Sequence, residues 1–269
     1  MSRTPRADGP AAPVRGTRVI RVPGLPNVRD TGGLPGPGGL RLGRRLLLRG
    51  PAPDTGTVAA LSGLGVRTVV DLRRPAEGGD PDALALLDAR VLRRPLHADL
   101  TGIRGVARPQ PGAYLAHYRR LLPQAAPVAA EVLDLLAEPA AAPVYVCCSF
   151  GKDRTGLVCA LVLRTLRVAL ADVAADYALT GRAYRALGPR DPRPAPVAAY
   201  PPADLAARTV SPARTMRRLL TDVEREHHDL RRYLELNGLR RSAWRGAMRR
   251  AYRCGADPLD APGAPRKGR

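Results

Sequence analysis

Cys148 and Arg154 are separated by five residues in the stretch Val144-Tyr145-Val146-Cys147-Cys148-Ser149-Phe150-Gly151-Lys152-Asp153-Arg154-Thr155-Gly156. An apolar, β-type run ends on a cysteine, and Thr155-Gly156 leads into a long apolar helical segment. A strand, a tight loop and a helix N-terminus together cradle a tetrahedral oxyanion, because loop N–H groups and the helix dipole converge on it. The Arg154 guanidinium adds a planar fork matched to two phosphate oxygens. A thiol facing the same point is lowered in pKa and becomes a nucleophile, so the residue types point to phosphoryl transfer through a cysteinyl-phosphate. Ser149, Phe150, Gly151 and Lys152 line such a loop, and glycine at 151 lets backbone approach the anion closely. The competing reading is packing: a cysteine ending a buried strand is often a small core hydrophobe. Side-chain alternation also forbids Cys147 and Cys148 from facing the same way. Cys-x5-Arg alone recurs by chance in an Arg-rich chain, but the added Gly-Lys-Asp and Thr between strand and helix make the pattern specific.

The stretch resembles the signature loop of cysteine-dependent phosphatases. More narrowly, Cys148 to Gly156 is similar to the Cys-x-x-Gly-Lys-Asp-Arg-Thr-Gly loop of bacterial atypical protein-tyrosine phosphatases, a group that includes a secreted mycobacterial lipid and tyrosine phosphatase. Asn27-Val28-Arg29-Asp30-Thr31-Gly32-Gly33 is similar to that group's Asn-Phe-Arg-Asp-x-Gly-Gly opening. Val66 to Arg73 resembles its strand ending in Asp-Leu-Arg. The three motifs fall in the group's order over about half the chain.

The resemblance implies Cys148 as nucleophile, Arg154 as the phosphate clamp and Thr155 as a hydrogen-bond donor to the departing thiolate. It supports Asp153 as general acid, although an aspartate beside Arg154 can equally fix loop geometry. Asp71, at a strand's C-terminal end where open α/β sheets place functional groups, is a second candidate for acid or loop support. A plain ion pair with Arg73 or Arg74 is the simpler role. The resemblance makes Asn27, Arg29 and Asp30 braces of the active loop, and turn chemistry explains the same residues. In relatives a loop lysine accompanies phosphoinositide as well as phosphotyrosine substrates, so a phosphorylated protein or a phosphoinositide is the expected partner of Lys152 and its loop. Two departures stand out. Cys147 replaces the usual histidine before the nucleophile and is a candidate to trap an oxidised Cys148 as a disulfide. Phe150 replaces a usually small residue, either narrowing the pocket or packing beneath the loop.

Composition sets limits on other functions. The 269 residues carry a net charge of +20, yet all but Lys152 and Lys267 of the 44 basic residues are arginine. They are scattered rather than clustered, with neither aromatic interleaving nor a recognisable binding module, so nucleic acid is not the expected partner. Four cysteines, two adjacent, make no disulfide framework, and the four histidines lie far from them. Neither a metal nor a cofactor is expected. The N-terminus lacks a signal-peptide apolar core, and Leu157 to Leu170 is too short and too charged to span a membrane. The expectation is a soluble cytoplasmic protein without stable membrane insertion, its oligomeric state open.

The elements that must position the loop follow from periodicity. Strand-like runs at 17–22, 46–48, 66–72, 91–96 and 144–148 alternate with helical segments from Asp54, 83–87, 114–122, 129–136, 157–166 and 172–179. A helix opens at Ser211-Pro212 and runs to Asn237-Gly238, and another carries Trp244, Met248 and Tyr252. The rhythm is α/β. With the resemblance it implies a protein-tyrosine/dual-specificity phosphatase-like fold: a mostly parallel central sheet flanked by helices. The Pro- and Ala-rich stretch 187–210 is a candidate lid hinge. Residues 1–16 and 254–269 read as disordered extensions around a phosphatase domain at 17–253. Two other classes compete: a catalytically weak phosphate-binding pseudophosphatase, and a sulfurtransferase or arsenate reductase using the same cysteine loop.

Overall fold

In the computed structural model of the protein, the residues described are 18–75, 77, 82–97, 112–188, 191, 195–198, 200, 205 and 208–252. The expected terminal extensions, 1–16 and 254–269, and half of 187–210 lie outside them. The chain forms an α/β fold around a five-stranded sheet of β1 (Arg29–Asp30), β2 (Leu47–Pro51), β3 (Thr68–Asp71), β4 (Arg90–Arg93) and β5 (Val144–Cys148). Their spatial order is β1-β2-β5-β3-β4. Only β1 runs antiparallel; the β2–β5, β5–β3 and β3–β4 pairs are parallel. β5 is the central strand, and its apolar run is buried on both faces, as a parallel core strand requires.

The α-helices described are α1 (Val58–Ser62), α2 (Ala113–Ala137), α3 (Asp153–Thr165), α4 (Leu170–Arg185), α5 (Ala195–Ala198), α6 (Ala213–His227), α7 (Leu230–Leu236) and α8 (Arg241–Ala251). The larger core lies between one sheet face and α2, α3, α6, α7 and α8. It includes Val70, Val144, Val146, Leu157 and Leu161. The smaller core, with Val69, Tyr145, Leu61 and Leu84, lies on the opposite face under α1 and the 3-10 turn Ala83–Leu86.

Three differences from the periodicity have physical causes. The expected breaks at Pro123 and Pro127 do not occur, and α2 runs through both as one 25-residue helix. Each proline removes a helix hydrogen bond, but the buried stripe of Leu121, Ala125, Ala129, Val132 and Leu136 keeps the axis packed against α3 and α8. The helix expected to run unbroken from Ser211 to Asn237 divides at His228, whose φ is +67°. Asp229 restarts it as an N-cap, accepting from the N–H groups of Arg231 and Arg232. The expected first strand reduces to single bridges, Val19 to Arg29 and Val22 to Leu25, because Pro23-Gly24 and Pro26 interrupt the ladder.

Candidate active site

Cys148 ends β5 at the C-terminal edge of the sheet, and α3 begins five residues later at Asp153. Alternation along β5 sends Cys148 into the larger core and Cys147 into the smaller one. Burial pushes the Cys147 thiol well up in pKa, and neighbouring Asp71 pushes it further. Gly151 makes the intervening turn at φ +60°. A Cβ there would lie 2.3 Å from the carbonyl carbon of Gly50 on β2, so both the turn and the close approach exclude a side chain.

The loop carbonyls are held outward from three directions. Asn27 Nδ2 donates to the carbonyls of Gly151 at 3.1 Å and Phe150 at 3.3 Å. Arg49 Nη2 donates to Gly151 O at 3.1 Å, and the Tyr184 hydroxyl to Phe150 O at 2.8 Å. In a trans peptide the N–H lies opposite the carbonyl, so the N–H groups of Gly151 and Lys152 turn to the inner side of the loop. Converging N–H groups of this kind are the chemistry that receives an anion.

These props rest on a buried charge cluster. Arg29 and Arg49 face one another across the β1–β2 register, a like-charge pair that would repel alone. Asp176 of α4 lies between them: Oδ1 is 3.2 Å from Arg29 Nε, Oδ2 is 3.0 Å from Arg49 Nη1, and all three side chains are 1% exposed. Arg18 Nη1 reaches Oδ1 at 2.5 Å. Arg29 also donates to the side chain and carbonyl of Asn27, orienting that brace. Burial alone would raise the Asp176 carboxyl, but the guanidiniums of Arg29, Arg49 and Arg18 hold it well below the usual carboxylate range. Burial and the nearby Arg49 lower Arg29 to about 10. Three guanidiniums against one carboxylate leave positive charge beneath the loop, which favours an anion above it.

Arg154 is 7% exposed and oriented through one edge of its guanidinium. Nη1 donates to Glu77 Oε1 at 2.7 Å and Leu72 O at 3.0 Å, and Nη2 to Glu77 Oε2 at 2.5 Å. Ser149 Oγ donates to the same Oε2 at 3.0 Å. Burial opposes ionisation of Glu77, but Arg154, Arg74 and Ser149 together lower its pKa. Nη2 also donates to Ser149 Oγ at 3.4 Å, while Nε makes no hydrogen bond to a described residue. Thr155 Oγ1 is buried and likewise lacks a partner.

Asp153 Oδ1 accepts from the Tyr118 hydroxyl at 2.7 Å and lies 3.5 Å from Lys152 Nζ. The Tyr118 hydroxyl also shares a short hydrogen bond with the Tyr177 hydroxyl. The Lys152 ammonium is 1% exposed, donates to Arg208 O at 2.6 Å and to Tyr114 Oη at 3.3 Å, and lies 4.5 Å from the centroid of the Tyr114 ring. Phe150 packs outward against Tyr184 and Tyr200, in a small apolar cluster with Val197 and Leu205. Lys152 and Phe150 thus tie the loop to Arg208 and to the cluster of Val197, Tyr200 and Leu205.

The remaining residues singled out from sequence divide by position. Asp71 pairs with Arg73 through both oxygens, at 2.9–3.1 Å, with the Cys147 sulfur 4.0 Å away. Asp30 closes a turn by accepting from the N–H groups of Gly32 and Arg45, and burial raises its pKa. Asn27 contacts the loop directly; Arg29 acts through Asn27 and Asp176. Residues that sequence reading passed over are Arg49, Asp176, Glu77, Tyr184 and Tyr177. Arg49 and Asp176 carried a signal, a charge on an otherwise buried strand or helix face that has to find a partner. Among the described residues no cluster of His, Cys, Asp and Glu could hold a metal ion, and no helix is long and apolar enough to cross a membrane.

Comparisons with known proteins give the family. Residues 20–253 match the family model described as the tyrosine phosphatase family. A Cupriavidus necator protein, provisionally named a tyrosine-protein phosphatase, is 30% identical over 177 residues. The alignment covers 62% of this chain and 64% of that protein, so the chain spans under two thirds of its relative's length. The crystal structure of the core catalytic domain of the PP-IP phosphatase SIW14 from S. cerevisiae, in complex with citrate, overlaps 60% of this chain and 78% of that one. Its identity is 16% and its TM-score 0.37, a distant likeness that adds nothing to the assignment. By its match over residues 20–253, the chain belongs to the tyrosine phosphatase family of the cysteine-based protein-tyrosine and dual-specificity phosphatase superfamily.

Proposed function

We propose that the protein hydrolyses phosphomonoesters, phosphotyrosine first among them, through a cysteinyl-phosphate on Cys148, as a bacterial-type atypical tyrosine phosphatase with its catalytic domain at 17–253. The observation that carries this reading is the outward pinning of the Phe150 and Gly151 carbonyls directly after Cys148, which turns the loop N–H groups inward. The Cys148 thiolate attacks phosphorus in line, forming the S–P bond as the ester O–P bond breaks. Arg154 binds two equatorial oxygens through its Nε edge and strengthens its hold as charge shifts onto them. Asp153 protonates the departing oxygen. Its carboxylate then takes a proton from water, the new O–P bond forms, the S–P bond breaks and phosphate leaves. The Thr155 hydroxyl hydrogen-bonds to the returning thiolate, keeping its proton.

The test is metal-free hydrolysis of 4-nitrophenyl phosphate by wild type and Cys148→Ser, followed by phosphotyrosyl, phosphoseryl and phosphoinositide substrates. Activity lost in the variant supports the cysteine mechanism. Full activity in the variant would refute it. An inactive wild type that still binds phosphate indicates a pseudophosphatase. Turnover confined to thiosulfate or arsenate indicates the sulfurtransferase or reductase class.

A further inference from the structure

We propose that Tyr118, backed by Tyr177, is a positioning residue that fixes on which oxygen Asp153 carries its proton. The inference rests on the reading of Asp153 as the general acid. It goes beyond that reading by assigning a function to two fully buried tyrosines.

The argument follows the hydroxyl protons. Tyr118 on α2 and Tyr177 on α4 are both fully buried, with rings edge to face at 6.0 Å and 87° and their hydroxyls in a short hydrogen bond. Each hydroxyl has one proton to give. The Tyr177 hydroxyl has no partner but Tyr118 among the described residues, whereas the Tyr118 hydroxyl also touches Asp153 Oδ1 at 2.7 Å. If Tyr118 donated to Tyr177, the Tyr177 proton would be buried with no acceptor, and unmet polar groups of that kind are strongly disfavoured. The chain therefore runs in one direction, from Tyr177 to Tyr118 to Asp153 Oδ1. Burial holds both phenols well above their ordinary pKa, so both remain donors wherever the enzyme works.

The consequence falls on the acid form of Asp153. Oδ1 already receives the Tyr118 proton and has the Lys152 ammonium 3.5 Å away. A proton of its own on Oδ1 would meet both. The acid proton therefore sits on Oδ2, which has no hydrogen bond among the described residues. The Asp153 side chain is 23% exposed, so Oδ2 is not sealed from solvent. Without Tyr118 the proton is shared between two oxygens and the acid loses its fixed direction.

The test uses aryl phosphates whose leaving groups run from 2,4-dinitrophenol, which departs unaided, to phenol, which needs the proton. In Tyr118→Phe, kcat/KM for phenyl phosphate should fall about tenfold while that for 2,4-dinitrophenyl phosphate changes less than about twofold. Tyr177→Phe should tilt the series the same way, to a smaller degree, and decides the matter if Tyr118→Phe does not fold. Asp153→Asn is the reference, losing activity most steeply towards phenol. Equal losses across the series in folded tyrosine variants, or none, with a steep Asp153→Asn, overturn the positioning role alone. A flat series in Asp153→Asn overturns the acid assignment, and the inference with it.

Discussion

Arg49 and Asp176 form an ion pair of 3.0 Å in which each side chain is only 1% exposed, and the same guanidinium reaches the carbonyl of Gly151. One buried pair therefore links the sheet, α4 and the loop between Cys148 and Arg154. Its consequences can be measured.

Removing the carboxylate leaves Arg29 and Arg49 facing each other across two strands without a counter-charge. Asp176→Asn should lower stability by roughly 3–5 kcal/mol, the cost of breaking a buried pair by deleting one partner. The pH dependence has a fixed sign. Because the folded-state pKa of Asp176 is depressed, its contribution is complete above the unfolded carboxylate range, about 3.9, and is lost as pH falls below it. Denaturant midpoints measured from pH 7 down to pH 3 should fall for wild type and stay flatter for the variant. Parallel curves would remove Asp176 as the cause.

Glu77 orients Arg154 without occupying the Nε edge. Glu77→Gln keeps the size of the side chain but loses the two-oxygen anionic grip. Its kcat/KM should fall about tenfold, or ~1.4 kcal/mol of transition-state stabilisation. If Glu77 instead competes with substrate for Arg154, KM for 4-nitrophenyl phosphate will drop and activity will rise.

Lys152 bears on substrate choice. Its ammonium is held by Arg208 O and Tyr114, in a buried position. Lys152→Met should therefore reduce phosphotyrosine and phosphoinositide turnover to the same degree, the two ratios agreeing within about twofold. Selective loss of the phosphoinositide reaction would show that the ammonium leaves this latch to contact a headgroup.

Cys147 and Cys148 point into different cores, and burial keeps the Cys147 thiol protonated. Thiol mapping after mild peroxide should find Cys148 oxidised and no Cys147–Cys148 disulfide. A substantial yield of that linkage would require β5 to unpair at its end, and protease sensitivity there would reveal it.

Much of the site is local in the chain and so legible before any fold is known. A cysteine ending an apolar run, a glycine, an arginine and the start of a helix lie within nine residues, and short-range geometry alone makes them a cradle for an oxyanion. The alternating strand and helix patterns likewise carry the α/β class. Helix boundaries were less legible where tertiary burial outweighs a local breaker, as at Pro123 and Pro127, or where a single capping aspartate restarts a helix, as at Asp229.

The loop from Cys148 to Gly156, the order of the motifs and the α/β class can be read from the chain alone, because they depend on residues that are neighbours in it. Only the tertiary structure decided which groups support that loop. Arg49 and Asp176 are 127 residues apart, Glu77 and Arg154 are 77, and Tyr118 and Asp153 are 35. The same structure pairs Asp71 with Arg73 and sends Lys152 to a backbone carbonyl. The physical reason is common to all of them: a charged or hydroxyl group buried by folding must find its partner among whatever the packing of distant elements brings within hydrogen-bond reach.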